Sequence, residues 1–219
     1  MKRFTRSALS LLIFLGIGLA LWPLGQIAYA RWNQRALRTA WNEEAQNAAK
    51  MPSTKKSGAT ARTRVTPARA NPVRARSSHP KLPPTRIIIP DIGLDAVVVQ
   101  GMDAASLQRG PGHAPYSALP GQLGNCAIAA HRNVFGSWFL RVDELLPGAR
   151  INLQTPRETF RYEVAEIFSV PDNVARILRP MPGGENIARL TLITCTLPRT
   201  TSRVAVIAQL VPPDAPSGF

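Results

Sequence analysis

Acidic residues are scarce in this chain of 219 residues: 13 Asp and Glu stand against 27 Lys and Arg, a formal net charge of +14. The shortage is confined to one part of the sequence. Residues 1–86 hold sixteen basic residues and two acids, whereas residues 87–219 hold eleven Arg and eleven acids and are neutral. A nucleic-acid-binding domain carries its positive charge on the folded unit, close to the phosphates. The neutral C-terminal part therefore argues against nucleic-acid binding.

Cysteine is also rare, with one residue at Cys126 and another at Cys195. No Cys-x-x-Cys or His-x-x-x-His pair is present, so the spacing argues against a zinc site made by the two cysteines with His113 and His131. A disulfide between Cys126 and Cys195 is an open alternative outside the cytoplasm. For Cys126, five residues before His131 on a predicted inward-facing strand, we favour a small buried hydrophobe.

Charge is absent from residues 8–30, an apolar run long enough to cross a bilayer as a helix. Residues 28–30 (Ala-Tyr-Ala) have the small-x-small pattern of a cleavage site, so a cleaved signal peptide is the alternative. The length of the run favours an uncleaved signal-anchor. We therefore predict a cytoplasmic segment 1–7, a transmembrane segment 8–30 and a single-pass protein of the cytoplasmic membrane, with everything after residue 30 outside the cytoplasm.

Residues 31–85 are predicted to be a basic linker rich in Pro, Ser and Ala. It begins with an amphipathic stretch containing Trp32, Leu37 and Trp41, typical of a helix at the membrane surface. From Lys50 to Arg86 there are ten basic residues, no acid and no hydrophobic periodicity, which predicts disorder. Two roles stay open for this part: a spacer, or attraction to anionic lipid or cell-envelope polymer.

Residues 86–212 have the pattern of a folded, mainly β domain, followed by a tail at 213–219. Short apolar runs recur between turn residues, at 86–90, 96–99, 125–130, 151–154, 160–164, 191–195 and 203–207. They predict a closed or nearly closed β-barrel of seven to eight strands with a few short helices.

Helices and loops are predicted between these runs. Asp103 is a candidate N-cap for a short helix that Gly110 ends, and residues 173–178 are a second helical candidate. Residues 110–113 (Gly-Pro-Gly-His) are typical of a loop. No internal repeat is visible.

Three polar residues lie at the ends of predicted strands: His131, Cys195 and Arg203. Attack of a cysteine on an acyl group requires a nucleophile, a proton shuttle and positive charge for the oxyanion, and these residue types supply the three roles. Arg203 follows Cys195 by eight residues, so one turn can fold the next strand back alongside. Each residue also has a simpler explanation, as a core cysteine, a rim histidine or a solvated arginine.

These segments resemble the sortases. Residues 191–195 (Thr-Leu-Ile-Thr-Cys) match the Thr-Leu-x-Thr-Cys motif of that family, and residues 202–206 match its arginine strand. Residues 124–132 match its Gly-Asn-x-x-x-Ala-Gly-His-Arg segment, except that Ala130 stands where the family usually has glycine. The extra methyl group could narrow the approach to His131.

Two further segments, 86–90 and 110–113, and the order of anchor, linker and domain also look like a sortase. The segments at 110–113 and 125–132 favour the compact class D or E type.

The resemblance implies a membrane-anchored cysteine transpeptidase. Cys195 is expected to cleave a Leu-Pro-x-Thr-Gly-like sorting signal between Thr and Gly, near the C-terminus of a surface protein, while His131 protonates the departing amine. An amine such as a cell-wall precursor or a pilin lysine then resolves the thioester. Arg203 is expected to hold the oxyanion or the substrate backbone, and we assign Thr194 and Asn125 to supporting roles there.

No cofactor is predicted. Some sortases bind calcium through loop carboxylates, but the isolated acids Asp143, Glu144, Asp172 and Glu185 form no cluster in the sequence. Two other functions stay open. One is a different cell-wall cysteine transpeptidase of the L,D type, whose Ser-x-Gly-Cys-type motif is absent here. The other is a membrane-anchored β-barrel that binds a partner without catalysis.

Overall fold

Within the part of the chain that is described, eight strands close into one barrel, which confirms the predicted fold class. The structure is a computed structural model that describes residues 2–50, 81–171, 187–197 and 202–212. Its strands are β1 Thr85–Ile89, β2 Leu94–Gln100, β3 Gly112–His113, β4 Gly124–Ala129, β5 Arg150–Gln154, β6 Thr159–Pro171, β7 Ala188–Cys195 and β8 Ser202–Leu210. Its helices are α1 Lys2–Lys50 and α2 Ala104–Arg109, with 3-10 turns at Pro90–Ile92 and Val142–Glu144. The predicted helical turn at 173–178 and the tail at 213–219 lie outside the described residues.

The strands follow one another around the barrel in the order β1-β2-β3-β4-β7-β8-β6-β5. Two of the pairs are parallel, β2 with β3 and β4 with β7, and the others are antiparallel. The chain leaves β4, forms β5 and β6 on the far side, and returns to place β7 between β4 and β8. This crossover places β4 beside β7 and β8, which follow it by about 60 residues or more in the sequence.

The barrel is filled by the side chains that alternate inward along each strand. Ile87, Ile89, Ile151 and Leu153 of β1 and β5 are all fully buried. Burial of an aliphatic side chain of this size contributes about 1.5–3 kcal/mol. The phenol of Tyr162 is also in the core, where its oxygen accepts a 2.8 Å hydrogen bond from Gly121 N. The alternating pattern that predicts these strands is therefore the pattern that forms the core.

The prediction of a loop at residues 110–113 is wrong for residues 112 and 113. They form the short strand β3, which pairs with β2 on one side and β4 on the other. Glycine is required at 112 because a Cβ there would strike the backbone oxygen of Gly101. The helix that precedes this strand begins as predicted, because the carboxylate of Asp103 accepts a 3.0 Å hydrogen bond from Ser106 N.

The N-terminal helix α1 is longer than the predicted transmembrane segment. Within the described residues, the span Leu11–Lys50 is long and apolar enough to cross a membrane, and its apolar window is not buried by the barrel. The helix continues through Lys50, although Pro23 lies inside it. Residues 31–50, which we assigned to the linker, are therefore helical, and the rest of the predicted linker, 51–80, lies outside the described residues.

One face of the amphipathic part of α1 packs on the barrel, while Trp32 is 68 % exposed, so contact of the other face with a membrane surface stays a prediction. The amide of Gln34 makes two hydrogen bonds with the backbone of Val97 in β2: its Nε2 donates to the carbonyl at 2.9 Å and its Oε1 accepts from the N–H at 2.8 Å. Gln34 is 3 % exposed, and its Nε2 also contacts Arg109 O at 3.1 Å. The side chain thus takes the place that a neighbouring peptide group would have in a sheet.

Charged and aromatic side chains extend this contact. The carboxylate of Asp95 in β2 accepts from Arg38 of α1 at 3.2 Å and from Arg86 of β1 at 2.5 and 2.6 Å. The Arg86 guanidinium lies 5.6 Å from the ring centroid of Trp41. These bonds, chiefly the one from Arg86, hold the pKa of Asp95 below its usual range. The helix and the first two strands thus form one packed unit.

Replacing Gln34 by alanine is expected to destabilise the protein, because the N–H and C=O of Val97, which is 4 % exposed, lose their partner. Leaving buried polar groups unpaired costs about 1–3 kcal/mol. Urea unfolding of the full chain in detergent measures the effect. The matched control is Asn33→Ala, because Asn33 donates to Tyr29 O within its own helix. Equal stability of the two variants would contradict the docking of α1.

Stability is also expected to depend on pH through Asp95. Its folded pKa is lowered, so the contribution of the carboxylate is complete above the unfolded value of about 3.9 and is lost as the pH falls through the folded value. Asp95→Asn should therefore destabilise the chain at neutral pH and become nearly neutral in strong acid. Urea midpoints across this pH range measure the difference between the two proteins. A difference that does not change with pH would exclude this ion pair as the cause.

Candidate active site

The predicted residues His131, Cys195 and Arg203 come from three neighbouring segments of the barrel. In the parallel pair β4–β7, Ala129 lies opposite Ile193, and His131 and Cys195 each follow two residues later. In the antiparallel pair β7–β8, Cys195 lies opposite Arg203. The three positions thus form one row across the sheet, with Cys195 in the middle.

The row faces the outside of the barrel. The core contains Ala130 of the segment after β4, Leu192 of β7 and Val204 of β8, and successive side chains on a strand point to opposite faces. The positions that alternate with them, 131, 195 and 203, therefore point outward. All three residues are half-buried, so they are held by their surroundings and still reach the surface.

His131 is positioned by the loop that follows it. Its carbonyl accepts a 3.2 Å hydrogen bond from Phe139 N, and its ring lies 5.4 Å from that of Phe135 at an interplanar angle of 37°. Phe135 and Ser137 have positive φ angles of 46° and 51°, which non-glycine residues rarely adopt. Such strained backbone persists where surrounding structure imposes it and often accompanies functional sites.

The backbone around Cys195 is held from two sides. Its carbonyl accepts a 3.2 Å hydrogen bond from Nη1 of Arg132. One residue earlier, the hydroxyl of Thr194 donates to Ala130 O at 2.8 Å, and Thr194 is 3 % exposed. Thr194 thus links β7 to the end of β4 beside the row. Its predicted support of substrate or oxyanion stays a prediction.

Asn125 is not brought to the same place. It lies opposite Arg189, and its side-chain oxygen accepts a 2.6 Å hydrogen bond from Thr191. Six residues separate it from His131, which is about 20 Å along an extended strand. The contact with Thr191 joins β4 to β7 at some distance from Cys195. A role of Asn125 at the reacting groups stays a prediction.

Ala130, the departure from the family pattern, does not face the approach to His131. It is 5 % exposed and belongs to the core cluster. Its methyl group therefore packs inside the barrel, one residue before the outward row. The prediction that this methyl group narrows the approach to His131 is therefore wrong, because the methyl group points into the core.

Cys126 is a core residue. It is fully buried, and burial raises the pKa of its thiol to about 12 because the thiolate loses its hydration. It pairs with Leu190, five residues before Cys195, and its side chain points inward whereas Cys195 points outward. Both cysteines are free thiols, and a disulfide between them would need the two side chains on the same side of the sheet.

The alternative zinc site is also dispersed. His113 is fully buried in β3, where its Nε2 lies 2.9 Å from Ala118 O, and burial lowers its pKa. In the described parts of the chain, no group of three or more His, Cys, Asp or Glu side chains converges in a way that could hold a metal ion.

Arg132 and Asp143 are residues of this region that the sequence reasoning did not assign. Arg132 was part of the matched histidine segment, and Asp143 was an isolated acid. In the structure their side chains form a 2.5 Å ion pair behind Cys195. The sequence offers one signal for Arg132, namely that a charged residue directly follows a candidate catalytic histidine.

Comparison with known proteins gives one consistent result. The family model described as the Sortase domain matches residues 87–211. The chain is 28 % identical over 130 residues to Sortase A of Streptococcus agalactiae, covering 57 % of this chain and 51 % of that protein. It is 38 % identical over 98 residues to Sortase SrtE1 of Streptomyces coelicolor, covering 42 % and 27 %. The matches thus span about half or less of these curated relatives.

Solved structures agree with this. A sortase D5 transpeptidase of Clostridium perfringens superimposes with a TM-score of 0.54 at 31 % identity, covering 59 % of this chain and 79 % of that one. Sortase C-1 of Actinomyces oris gives a TM-score of 0.54 at 28 % identity, covering 58 % and 73 %.

The two cysteines are expected to differ in reactivity, because Cys195 is partly exposed and Cys126 is fully buried with a raised pKa. Brief treatment of the native chain with iodoacetamide near neutral pH should modify Cys195 and spare Cys126. Peptide mass spectrometry locates the adduct. Unfolding in urea should then make Cys126 reactive, which controls for detection. Native modification of Cys126 at a rate similar to that of Cys195 would contradict the burial described above.

Proposed function

The chain belongs to the sortase family, and we propose that it is a cysteine transpeptidase acting on the sorting signals of exported proteins. The observation that carries the proposal is the row of His131, Cys195 and Arg203 on the outer face of the barrel. A cysteine position flanked by a histidine position and an arginine position supplies the residue types that acyl transfer requires.

In the first half of the proposed reaction, His131 takes the proton of the Cys195 thiol, and the sulfur attacks the carbonyl carbon of the threonine in a Leu-Pro-x-Thr-Gly-like signal. The new S–C bond places negative charge on the carbonyl oxygen, and the Arg203 guanidinium stabilises it. His131 then donates a proton to the glycine nitrogen as the C–N bond breaks. The products are a thioester on Cys195 and a peptide with a free amino group.

In the second half, an amine attacks the thioester carbonyl and gives its proton to His131. The C–S bond breaks, the substrate protein is joined to the amine through a new amide, and His131 returns the proton to the sulfur, which restores the thiol of Cys195. The proposed acceptors are a cell-wall precursor or a pilin lysine. A class D or E type is proposed on the similarity to the streptomycete Sortase SrtE1 and the clostridial sortase D5, although Sortase A of Streptococcus agalactiae and sortase C-1 of Actinomyces oris are similar to the chain at a comparable level.

The proposed location is the outer side of the cytoplasmic membrane. The apolar part of α1 would anchor the chain, and the barrel packed on residues 34–41 of the same helix would stand outside the cytoplasm. Thr194 and Asn125 are kept as proposed supports, Asn125 only for a part of the substrate remote from the oxyanion because it pairs opposite Arg189, and no metal is required by the steps above.

Transpeptidation of a model peptide tests the proposal. The full chain is incubated with a Leu-Pro-x-Thr-Gly-type peptide and an amine, and the cleaved and ligated products are measured by mass spectrometry. Cys195→Ala should reduce both products to background, because the thioester cannot form. Cys126→Ala is the matched control and should keep its activity within about two-fold, since Cys126 contributes only to packing.

Two outcomes separate the candidate functions. Cleavage that survives Cys195→Ala would exclude the proposed nucleophile. Binding of the peptide without turnover by the wild-type chain would favour an anchored binding protein.

Arg203→Gln removes the positive charge at the position opposite Cys195 in the strand pair and should lower kcat by about 10²–10³-fold, the usual cost of losing an oxyanion donor.

A further inference from the structure

Beyond the row itself, we propose that Arg132 is a positioning residue that holds Cys195 and His131 in mutual alignment. The inference deepens the proposed function and rests on the roles given there to the two residues. Arg132 follows His131 in the sequence but is 6 % exposed, so its side chain turns into the protein. A buried guanidinium needs several polar partners, and the identity of these partners carries the argument.

The guanidinium of Arg132 contacts three different parts of the site. Its Nη1 donates to Cys195 O at 3.2 Å, its Nε donates to Leu140 O at 3.3 Å, and its Nη2 lies 2.5 Å from the carboxylate of Asp143. The first acceptor belongs to the proposed nucleophile. The other two belong to the segment that follows His131. One side chain therefore bonds both sides of the proposed catalytic pair.

The contact continues the β4–β7 pairing past the last ladder position. The ladder ends with Ala129 opposite Ile193, and Ala130 N then donates to Ile193 O at 3.1 Å. One residue further along β7, the hydroxyl of Thr194 donates to Ala130 O. The next hydrogen bond between the two segments runs from the Arg132 side chain to Cys195 O. This link lies at the level of the proposed reacting groups.

The side chain of Arg132 also holds the loop that follows His131 and positions it. The loop returns to His131 through the bond from Phe139 N to His131 O, and the next residue in the chain, Leu140, gives its carbonyl to Arg132. The loop contains the strained Phe135, whose ring lies against that of His131. Loss of the Arg132 bonds would release one end of this loop.

Arginine suits this task better than lysine. Its planar guanidinium offers five N–H donors in fixed directions, which reach three acceptors at once, whereas a lysine ammonium is a point charge on a flexible chain. Asp143 balances the buried charge. A misplacement of about 1 Å between reacting groups can cost about 10²-fold in rate. We therefore expect loss of the Arg132 contacts to slow the chemical step more than it weakens substrate binding.

Steady-state kinetics of Arg132→Lys test the proposal with the peptide and amine described above. We expect kcat to fall by about 10–100-fold, with KM changed by no more than about two-fold. The matched control is Arg141→Lys, in the same loop, where Arg141 is half-exposed and paired with Glu144 at 2.7 Å. The control should keep both constants. A normal kcat for Arg132→Lys, or an equal loss in the control, would overturn the inference.

A double-mutant cycle distinguishes alignment of Cys195 with His131 from a general stabilising effect of Arg132 on the fold. The readout is the rate of alkylation of Cys195 by iodoacetamide, which needs no peptide, with the adduct located by mass spectrometry. Arg132→Lys should slow alkylation in the wild-type background and have no further effect in the His131→Ala background, because residues that act as a unit are not additive. Equal slowing in both backgrounds would mean that Arg132 does not act through His131.

Two further measurements keep the result interpretable. Thermal unfolding reports whether Arg132→Lys folds; if it does not, Asp143→Asn in the same cycle should give a smaller loss with the same non-additivity. An additive loss there would also contradict the inference. If the wild-type chain transfers no peptide, the proposed function fails in the transpeptidation assay, while the alkylation cycle still reports on the contact between Arg132, Cys195 and His131.

Discussion

The parallel pairing of β4 with β7 is the constraint on which the site depends. It joins residues 64 positions apart in the sequence, and the antiparallel return of β8 adds Arg203 on the other side of Cys195. Because side chains alternate between the faces of a strand, a slip of one residue in β7 would turn Cys195 into the core and Thr194 outward. The core side chains Leu190 and Leu192 therefore fix the direction of the thiol as much as its own neighbours do.

Much of this architecture could be predicted from local sequence patterns. The apolar runs give the positions of most strands, and Asp103 gives the start of α2. The ends of the strands bearing His131, Cys195 and Arg203 are visible for the same reason. The two-residue strand β3 was missed because a Gly-Pro-Gly-His segment has the composition of a loop, and only the close approach to Gly101 shows why glycine is needed there.

The tertiary contacts could not be predicted in this way. The amphipathic pattern of residues 31–41 shows that one face of the helix is apolar, but it does not distinguish a bilayer surface from the wall of a barrel. The amide of Gln34 pairs with the Val97 backbone, which shows that one face of the helix packs on the barrel, and nothing in a single sequence marks that glutamine. Arg132 is similar: its charge next to His131 is visible in the sequence, but its bond to Cys195 O depends on a strand whose last residue lies 63 positions later.

The docking of α1 also fixes the direction of the site relative to the apolar helix. Gln34 contacts Val97 and Arg38 contacts Asp95, so α1 runs antiparallel to β2. β3 is parallel to β2, β4 is antiparallel to β3, and β7 is parallel to β4. Hence β4 and β7 run in the same sense as α1, and the ends that carry His131 and Cys195 point away from residues 11–30. If that segment lies in the membrane, the contacts that stabilise the barrel also set the side from which the Cys195 thiol is approached.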